Sequence, residues 1–228
     1  MAQQSMHVQL VETLGARIGS GELTSGTVIN LATIESEFGV SRTVAREAMR
    51  LLESLGLLEA RRRVGLIVAA VENWDVLSPR VIGWRLAGDS KADQLRSLTD
   101  LRIAIEPIAA RRAALRASRE QRARLVELAA ELRRLGEEEA GDTDEYLAVD
   151  TEFHRTLLLA SGNEMLGALE NVVTAVLEGR HRAGRMPRHP IEKALDLHEQ
   201  IAEAIRVGDE DAAEFTSRSQ VTLVRREI

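Results

Sequence analysis

Asp150, His154 and His198 carry the most specific chemistry in this chain. Asp150 and His154 stand four residues apart, and on a helix that spacing projects both side chains from one face, a turn apart. His198 follows far downstream in a separate helical stretch. One carboxylate and two imidazoles form a mixed O/N donor set suited to a divalent cation such as Zn, Ni or Mn. The competing reading is plain: D-x-x-x-H pairs arise by chance, and helical histidines are mostly half-exposed or satisfied within a core. The same trio would serve a metal-dependent enzyme by activating water. Glu152 or Glu199 would then act as base, although periodicity sets both off the ligand face. A second group of residues suits phosphate. Arg42, Arg46 and Arg50 recur every fourth residue, which lines three guanidinium groups along one helical face, and Arg61, Arg62 and Arg63 follow as a basic run. Taken alone, the first trio is equally an amphipathic surface helix with solvated arginines.

The elements that must position these arginines are legible. Residues 7–18 have a helical apolar face (Val8, Leu10, Val11, Leu14, Ile18), and Thr27–Val28–Ile29 is a short β-like run. Asn30 is placed to cap a helix over 31–38. Gly39–Val40 makes the turn, and Ser41 caps a second helix running from Arg42 to about Leu55, with Gly56 as its stop. Val44, Ala45, Ala48 and Met49 form the apolar strip opposite the arginines. Leu57–Ala60 then reads as a strand, Arg61–Gly65 as a basic tip and Leu66–Val68 as the return strand. Helix, turn, basic helix and basic hairpin make a winged helix-turn-helix, the architecture of a DNA reader. Residues 71–90, with Trp74, Leu77, Val81, Trp84 and Leu86 interrupted by Pro79 and Gly83, read as a linker with short helices whose tryptophans clamp two domains. From residue 91 onward the pattern is helical throughout. Helices are predicted over 92–116, 119–139, 143–160, 164–182, 190–207 and 210–226, with short breaks between them. The fold class is mainly α: a winged helix-turn-helix over 1–70, the linker over 71–90, and an all-α antiparallel bundle of six or seven helices over 91–228.

Composition agrees. Apolar residues make up 44% and aromatics only 3% of the 228, so the core is aliphatic and helical rather than a sheet of β-branched and aromatic residues. No run suits a membrane span, no basic-then-apolar leader opens the chain, and cysteine is absent, so a cytoplasmic location without disulfides or thiolate metal sites is expected. The net charge of −6 argues against nucleic acid only as an average. Residues 1–70 hold seven arginines against seven acidic residues. A neutral module with its arginines on one face still offers a local positive potential, and a modest patch of this kind favours two copies acting together.

The run Gly39–Val40–Ser41–Arg42–Thr43–Val44–Ala45–Arg46–Glu47–Ala48, with Leu52, Gly56–Leu57, Gly65 and Val68, resembles the DNA-binding domain of the GntR family of bacterial transcription regulators. Val44 stands where that family commonly has Pro, Ala45 where it has Val, and Arg63 where its wing commonly has Gly. The resemblance implies a homodimer on a palindromic operator. Arg42 and Arg46 would contact bases or phosphates, Ser41 and Thr43 phosphates, Gly65 the minor groove, and Arg61, Arg62 and Arg63 the backbone; Glu47 and Arg50 would be structural or solvent-facing. Downstream, Arg102–Ile103–Ala104–Ile105–Glu106–Pro107, Asp150–x–x–Phe153–His154, Ser161–Gly162–Asn163 and His198 resemble the FCD effector-binding domain of the FadR subfamily. That domain often binds a divalent metal through one Asp and three His. Asp150, His154 and His198 match, and Gln220 stands at the expected third-His position, leaving the amide oxygen of Gln220, His181 or a water to complete the shell. A metal-free site in which these residues bond the effector directly is the competing idea, and a constitutive DNA binder with a dead pocket is a further alternative. Arg102 matches a cavity arginine, either an anchor for a carboxylate effector or the partner of Glu106 in a structural salt bridge. Trp74, Leu77, Val81 and Trp84 with Arg102 and Glu106–Pro107 are similar to regulators of sugar-acid catabolism such as galactonate operon repressors. The expected effector is therefore a small carboxylate, a sugar acid or hydroxy acid binding at Arg102, His181 and Gln220.

Overall fold

The computed structural model describes residues 2–88 and 91–225. The chain divides into two units, Met1–Lys91 and Ala92–Ile228. The first unit runs through helix α1 (Ala2–Gly19), strand β1 (Val28–Ile29), helices α2 (Leu31–Phe38) and α3 (Arg42–Ser54), strands β2 (Leu58–Arg61) and β3 (Gly65–Val68), and helix α4 (Pro79–Leu86). Asn30 caps α2 by accepting the Ala32 and Thr33 amides at 2.9 and 3.4 Å. Gly39 turns the chain at φ +61°, where an L side chain costs about 1–2 kcal/mol. Ser41 then accepts the Val44 amide at 3.4 Å and starts α3. Val44, Ala45, Ala48, Met49 and Leu52 of α3 join Leu10, Leu14 and Ile18 of α1 in the core, so the helix has only one orientation that leaves its arginines outside.

The three strands form an antiparallel sheet in the order β1-β3-β2. Arg61 pairs with Gly65 across the wing, and the Val64 amide donates to the Arg61 carbonyl at 3.1 Å, which closes the tip as a tight turn. Arg63 occupies the left-handed region at φ +67°, the conformation that a glycine at this place would take without strain. The arginine bears a conformational cost of about 1 kcal/mol or more there.

Residues 71–88, expected as a linker, are built into the first unit. Trp84 on α4 is a member of its core. Its ring lies on α1 where Gly15 leaves room: a Cβ there would sit 2.5 Å from ring atoms. The indole N–H donates to Glu12 at 2.7 Å. Trp74, partly buried against the same core, donates to the Ala69 carbonyl at 3.1 Å. Two glycines a turn apart on α1, Gly15 and Gly19, thus seat a tryptophan expected to clamp two domains. The expected linker end at Ser90 lies outside the described residues.

The second unit contains α5 (Lys91–Arg116), α6 (Arg119–Glu137), α7 (Asp144–Ala160), α8 (Glu164–Gly167), α9 (Glu170–Arg182), α10 (Glu192–Val207) and α11 (Glu210–Arg225). The helix predicted over 164–182 is two helices, separated at Ala168–Leu169. The end predicted at 226 for the last helix lies outside the described residues. Ser118 and Gln121 cap α6 reciprocally, and Thr143 caps α7. Pro107 sits inside α5 and cannot donate to the Ile103 carbonyl, which instead faces Arg218 Nη1 at 3.5 Å. Leu125, Leu132, Phe153, Leu157, Ile201 and Ile205 anchor the core of the bundle. Among the described residues no helix is long and apolar enough to cross a membrane.

Candidate metal centre and nucleic-acid interface

Helix α7 presents Asp150 and His154 inward one turn apart, and α10 brings His198 to them, all three buried. Asp150 Oδ1 lies 3.5 Å from His154 Nε2 and 3.4 Å from His198 Nε2. Phe153 stands edge-on to both imidazoles, with ring centroids 5.6 and 5.0 Å away, and fixes their planes. The outer nitrogens are also committed. His198 Nδ1 donates to the Ala194 carbonyl at 2.9 Å, and His154 Nδ1 faces Glu106 Oε2 at 2.9 Å. Each contact places the proton on Nδ1 and leaves Nε2 as a lone-pair donor, the arrangement by which surrounding hydrogen bonds orient metal-binding histidines. Burial lowers the His154 pKa, but Glu106 and then Asp150 leave it raised, so a cation at Nε2 competes there with a proton facing Asp150. Three electron-rich atoms thus converge in a buried space, where a cation is the natural neutraliser.

Glu106, fully buried on α5, is the pivot of this cluster. Arg102 one turn earlier grips it with Nε and, at 3.3 Å, with Nη2. Burial raises the Glu106 pKa, but the Arg102 charge and then His154 overcome that and hold it at about 2. Asp150 is likewise held well below the carboxylate range, its burial outweighed by the two histidines. Burial lowers the Arg102 pKa, yet the facing Glu106 and Asp150 leave it raised. Arg102 Nη2 lies 3.1 Å from His154 Nε2 and 3.4 Å from Nδ1. A donor aligned with the Nε2 lone pair would be far from Nδ1, so the guanidinium rests against the ring and leaves that lone pair open. Gln220 on α11 brings its Nε2 to 3.0 Å from His198 Nε2 and 3.4 Å from His154 Nε2, while its Oε1 is buried with no hydrogen-bond partner.

Arg102, Asp150, His154, His198 and Gln220 line one cavity with Tyr146 and Arg180. Its free space is about 50 Å³, room for about one or two waters at roughly 30 Å³ each. Of the two roles open to Arg102, the Glu106 salt bridge is the one formed. His181 is absent from the lining; its Nε2 faces the Asp142 carbonyl at 3.0 Å, because its position on α9 turns it toward the α6–α7 loop. Glu152 and Glu199, the bases that hydrolysis would need, also lie elsewhere: Glu152 is 3.6 Å from Arg155 and Glu199 2.7 Å from Arg133. Arg180 and the second contact of Glu106 were missed. Arg180 had a signal, since it falls on the apolar face of Val173, Val176 and Leu177. The Glu106–His154 contact joins two distant helices and had none.

On the other unit, Ser41, Arg42, Thr43 and Arg46 are exposed at the start of α3, as are Arg61, Arg62, Arg63 and Gly65 on the wing. Among the described residues no carboxylate pairs with Arg42, Arg46, Arg62 or Arg63. Arg50 is bound to Glu47 at 2.7 Å, and Arg61 to Glu59 at 2.7 Å. Arg46 and Gly65 border one groove between helix and wing.

This arrangement has counterparts. Residues 7–68 match the bacterial regulatory proteins of the gntR family, and residues 97–221 match the FCD domain. The chain belongs to the GntR family. As a GntR regulator it is similar to the uncharacterized HTH-type transcriptional regulator YieP of Escherichia coli, with 30% identity over 213 residues covering 93% of this chain and 90% of that one. The galactonate operon transcriptional repressor of the same organism is 28% identical over 225 residues, covering 96% of this chain and 95% of the repressor. Among solved structures, Streptococcus agalactiae GntR superposes with a TM-score of 0.52 at 25% identity, covering 96% of this chain and 99% of that one. A GntR regulator is a DNA-binding transcription factor and not an enzyme, which removes the metal-dependent hydrolase reading.

Proposed function

We propose that this GntR regulator is a homodimeric repressor of a catabolic operon, released or engaged by a small carboxylate held in the bundle of its second unit. The observation that carries this reading is the cavity in which the buried Asp150, His154 and His198 converge beside Arg102. Such a set of buried charges is costly unless it binds something. A pocket without function would have no reason to retain it, which favours a responsive regulator over a constitutive one. The residues fit a divalent cation. The donor set is mixed O/N, the two histidine tautomers leave Nε2 free, and the Gln220 oxygen lacks a partner. Asp150, His154, His198 and Gln220 would hold it, with Zn, Ni or Mn suited to the donors. When bound, the cation supplies a Lewis-acidic centre for a carboxylate oxygen. Arg102 and Glu106 keep His154 in place. With about 50 Å³ of free space, the cavity must widen to take a hydroxy acid or a sugar acid.

DNA would be read by Arg42 and Arg46, whose forks suit guanine edges in the major groove, with Ser41 and Thr43 on phosphates at the start of α3. Gly65 lets the wing approach the minor groove, and Arg62 and Arg63 add phosphate contacts. Two copies of so small a patch supply affinity and match a palindrome. Effector binding then shifts the population of DNA-competent dimers through its differential affinity for the two states. The experiment is a thermal-shift screen of hydroxy acids and sugar acids, with elemental analysis of protein purified without chelator. About one equivalent of metal per chain, and a stabilising acid whose effect vanishes in Asp150→Asn, is the expected result. A shift of equal size in Asp150→Asn would remove the cavity from the account.

A further inference from the structure

Gln220 stands in a position of two-sided chemistry. Its amide nitrogen faces the two imidazole Nε2 atoms at 3.0 and 3.4 Å, and its oxygen, equally buried, has no partner. A glutamine amide offers two donors at one end and two acceptor lone pairs at the other. With nitrogen toward the histidines, N–H donors meet their lone pairs and the oxygen is orphaned, at a cost of about 1–3 kcal/mol. With the amide turned over, the oxygen joins Asp150 Oδ1, His154 Nε2 and His198 Nε2. Four acceptors then face one point, which is tolerable only around a cation.

We propose that Gln220 is a reversible fourth ligand, whose amide turns over to present Oε1 to a divalent cation and turns back to cap the histidines. The proposal rests on the metal reading above and adds a consequence to it: this site exchanges its cation. Two N–H contacts to His154 and His198 must be given up when the cation enters, and they are regained when it leaves. A carboxylate at this position has no N–H to give, and an imidazole must move its ring proton to Nδ1 before Nε2 can bind a cation. Occupancy is therefore set by the free cation concentration, and the cation acts as a signal beside the carboxylate.

The test uses the full chain titrated with Zn²⁺ alone against a competing chelator, comparing the parent with Gln220→Glu, Gln220→Leu and Asp150→Asn. Gln220→Glu is expected to bind about tenfold or more tighter and to release Zn²⁺ more slowly, because it keeps the ligand oxygen and loses the competing N–H contacts. Gln220→Leu is expected to bind about tenfold weaker. Side-chain amide signals of Gln220 in ¹⁵N-labelled parent protein should move on saturation, reporting the lost N–H contacts to imidazole. Should Gln220→Glu and Gln220→Leu both match the parent while Asp150→Asn loses Zn²⁺, the metal reading stands and the role of Gln220 is overturned. Should the parent bind no more Zn²⁺ than Asp150→Asn, the metal reading itself fails. A Gln220→Leu chain that does not fold leaves the Gln220→Glu comparison and the amide signals to decide.

Discussion

Replacing Glu106 by glutamine removes one charge from the buried carboxylate that joins Arg102 to His154. It is 0% exposed, gripped by Arg102 and in contact with His154 Nδ1 at 2.9 Å. Its pKa, pushed up by burial but held by Arg102 and His154 at about 2 against an ordinary 4.5, corresponds to about 3 kcal/mol of preference for the charged form, at about 1.4 kcal/mol per unit. Breaking a buried pair by removing one partner costs a similar amount, about 3–5 kcal/mol, because the remaining charge has no compensation. Glu106→Gln should therefore lose about 3 kcal/mol of stability, or roughly 6–12 °C in Tm for a unit of this size. Urea unfolding followed by far-UV circular dichroism reads it, with excess chelator present so that cation binding does not contribute. The paired change Arg102→Met with Glu106→Leu should recover most of the loss, since apolar residues of similar volume replace buried ion pairs at little cost. A loss under about 1 kcal/mol in the single variant, or a double variant as unstable as the single, would refute the pivotal role given to this carboxylate.

Other consequences are read in the first unit. Arg63→Gly relieves a side chain held at φ +67° and should stabilise the wing by about 1 kcal/mol. The same change should lower the salt dependence of DNA binding by about 0.9 in log–log slope if Arg63 touches a phosphate; a stability loss on chemical unfolding would contradict the strain. Gly15→Ala places a Cβ 2.5 Å from the Trp84 ring and should destabilise the unit by about 1–3 kcal/mol. Melting followed by tryptophan fluorescence would show this, and an unchanged melt would mean that Trp84 is not packed on α1 as described.

Much of this molecule could be read from its residues. The winged helix was legible because its signals are local: Asn30 and Ser41 as caps, Gly39 at a left-handed turn, and a short strand-like run on either side of a basic tip. Asp150 with His154 was legible because a one-turn spacing fixes a shared face. What escaped depends on tertiary contact. The seat of Trp84 requires two glycines on a helix some seventy positions earlier, and Glu106 meets His154 only after α5 and α7 have packed. Gln220 was located by its place in a family pattern, yet its orphaned oxygen is a property of packing alone. The single helix expected over 164–182 is two, and glycine content did not mark the break, since Gly167 ends α8 while Gly179 lies inside α9.

Reading of DNA by α3 is the central claim, and selection of bound duplexes from a random library tests it most directly. The parent protein is expected to enrich one palindromic motif, and Arg46→Ala, which leaves the core face of α3 untouched, to lose that enrichment while retaining its fold. Enrichment of the same motif to the same extent by Arg46→Ala would contradict the account.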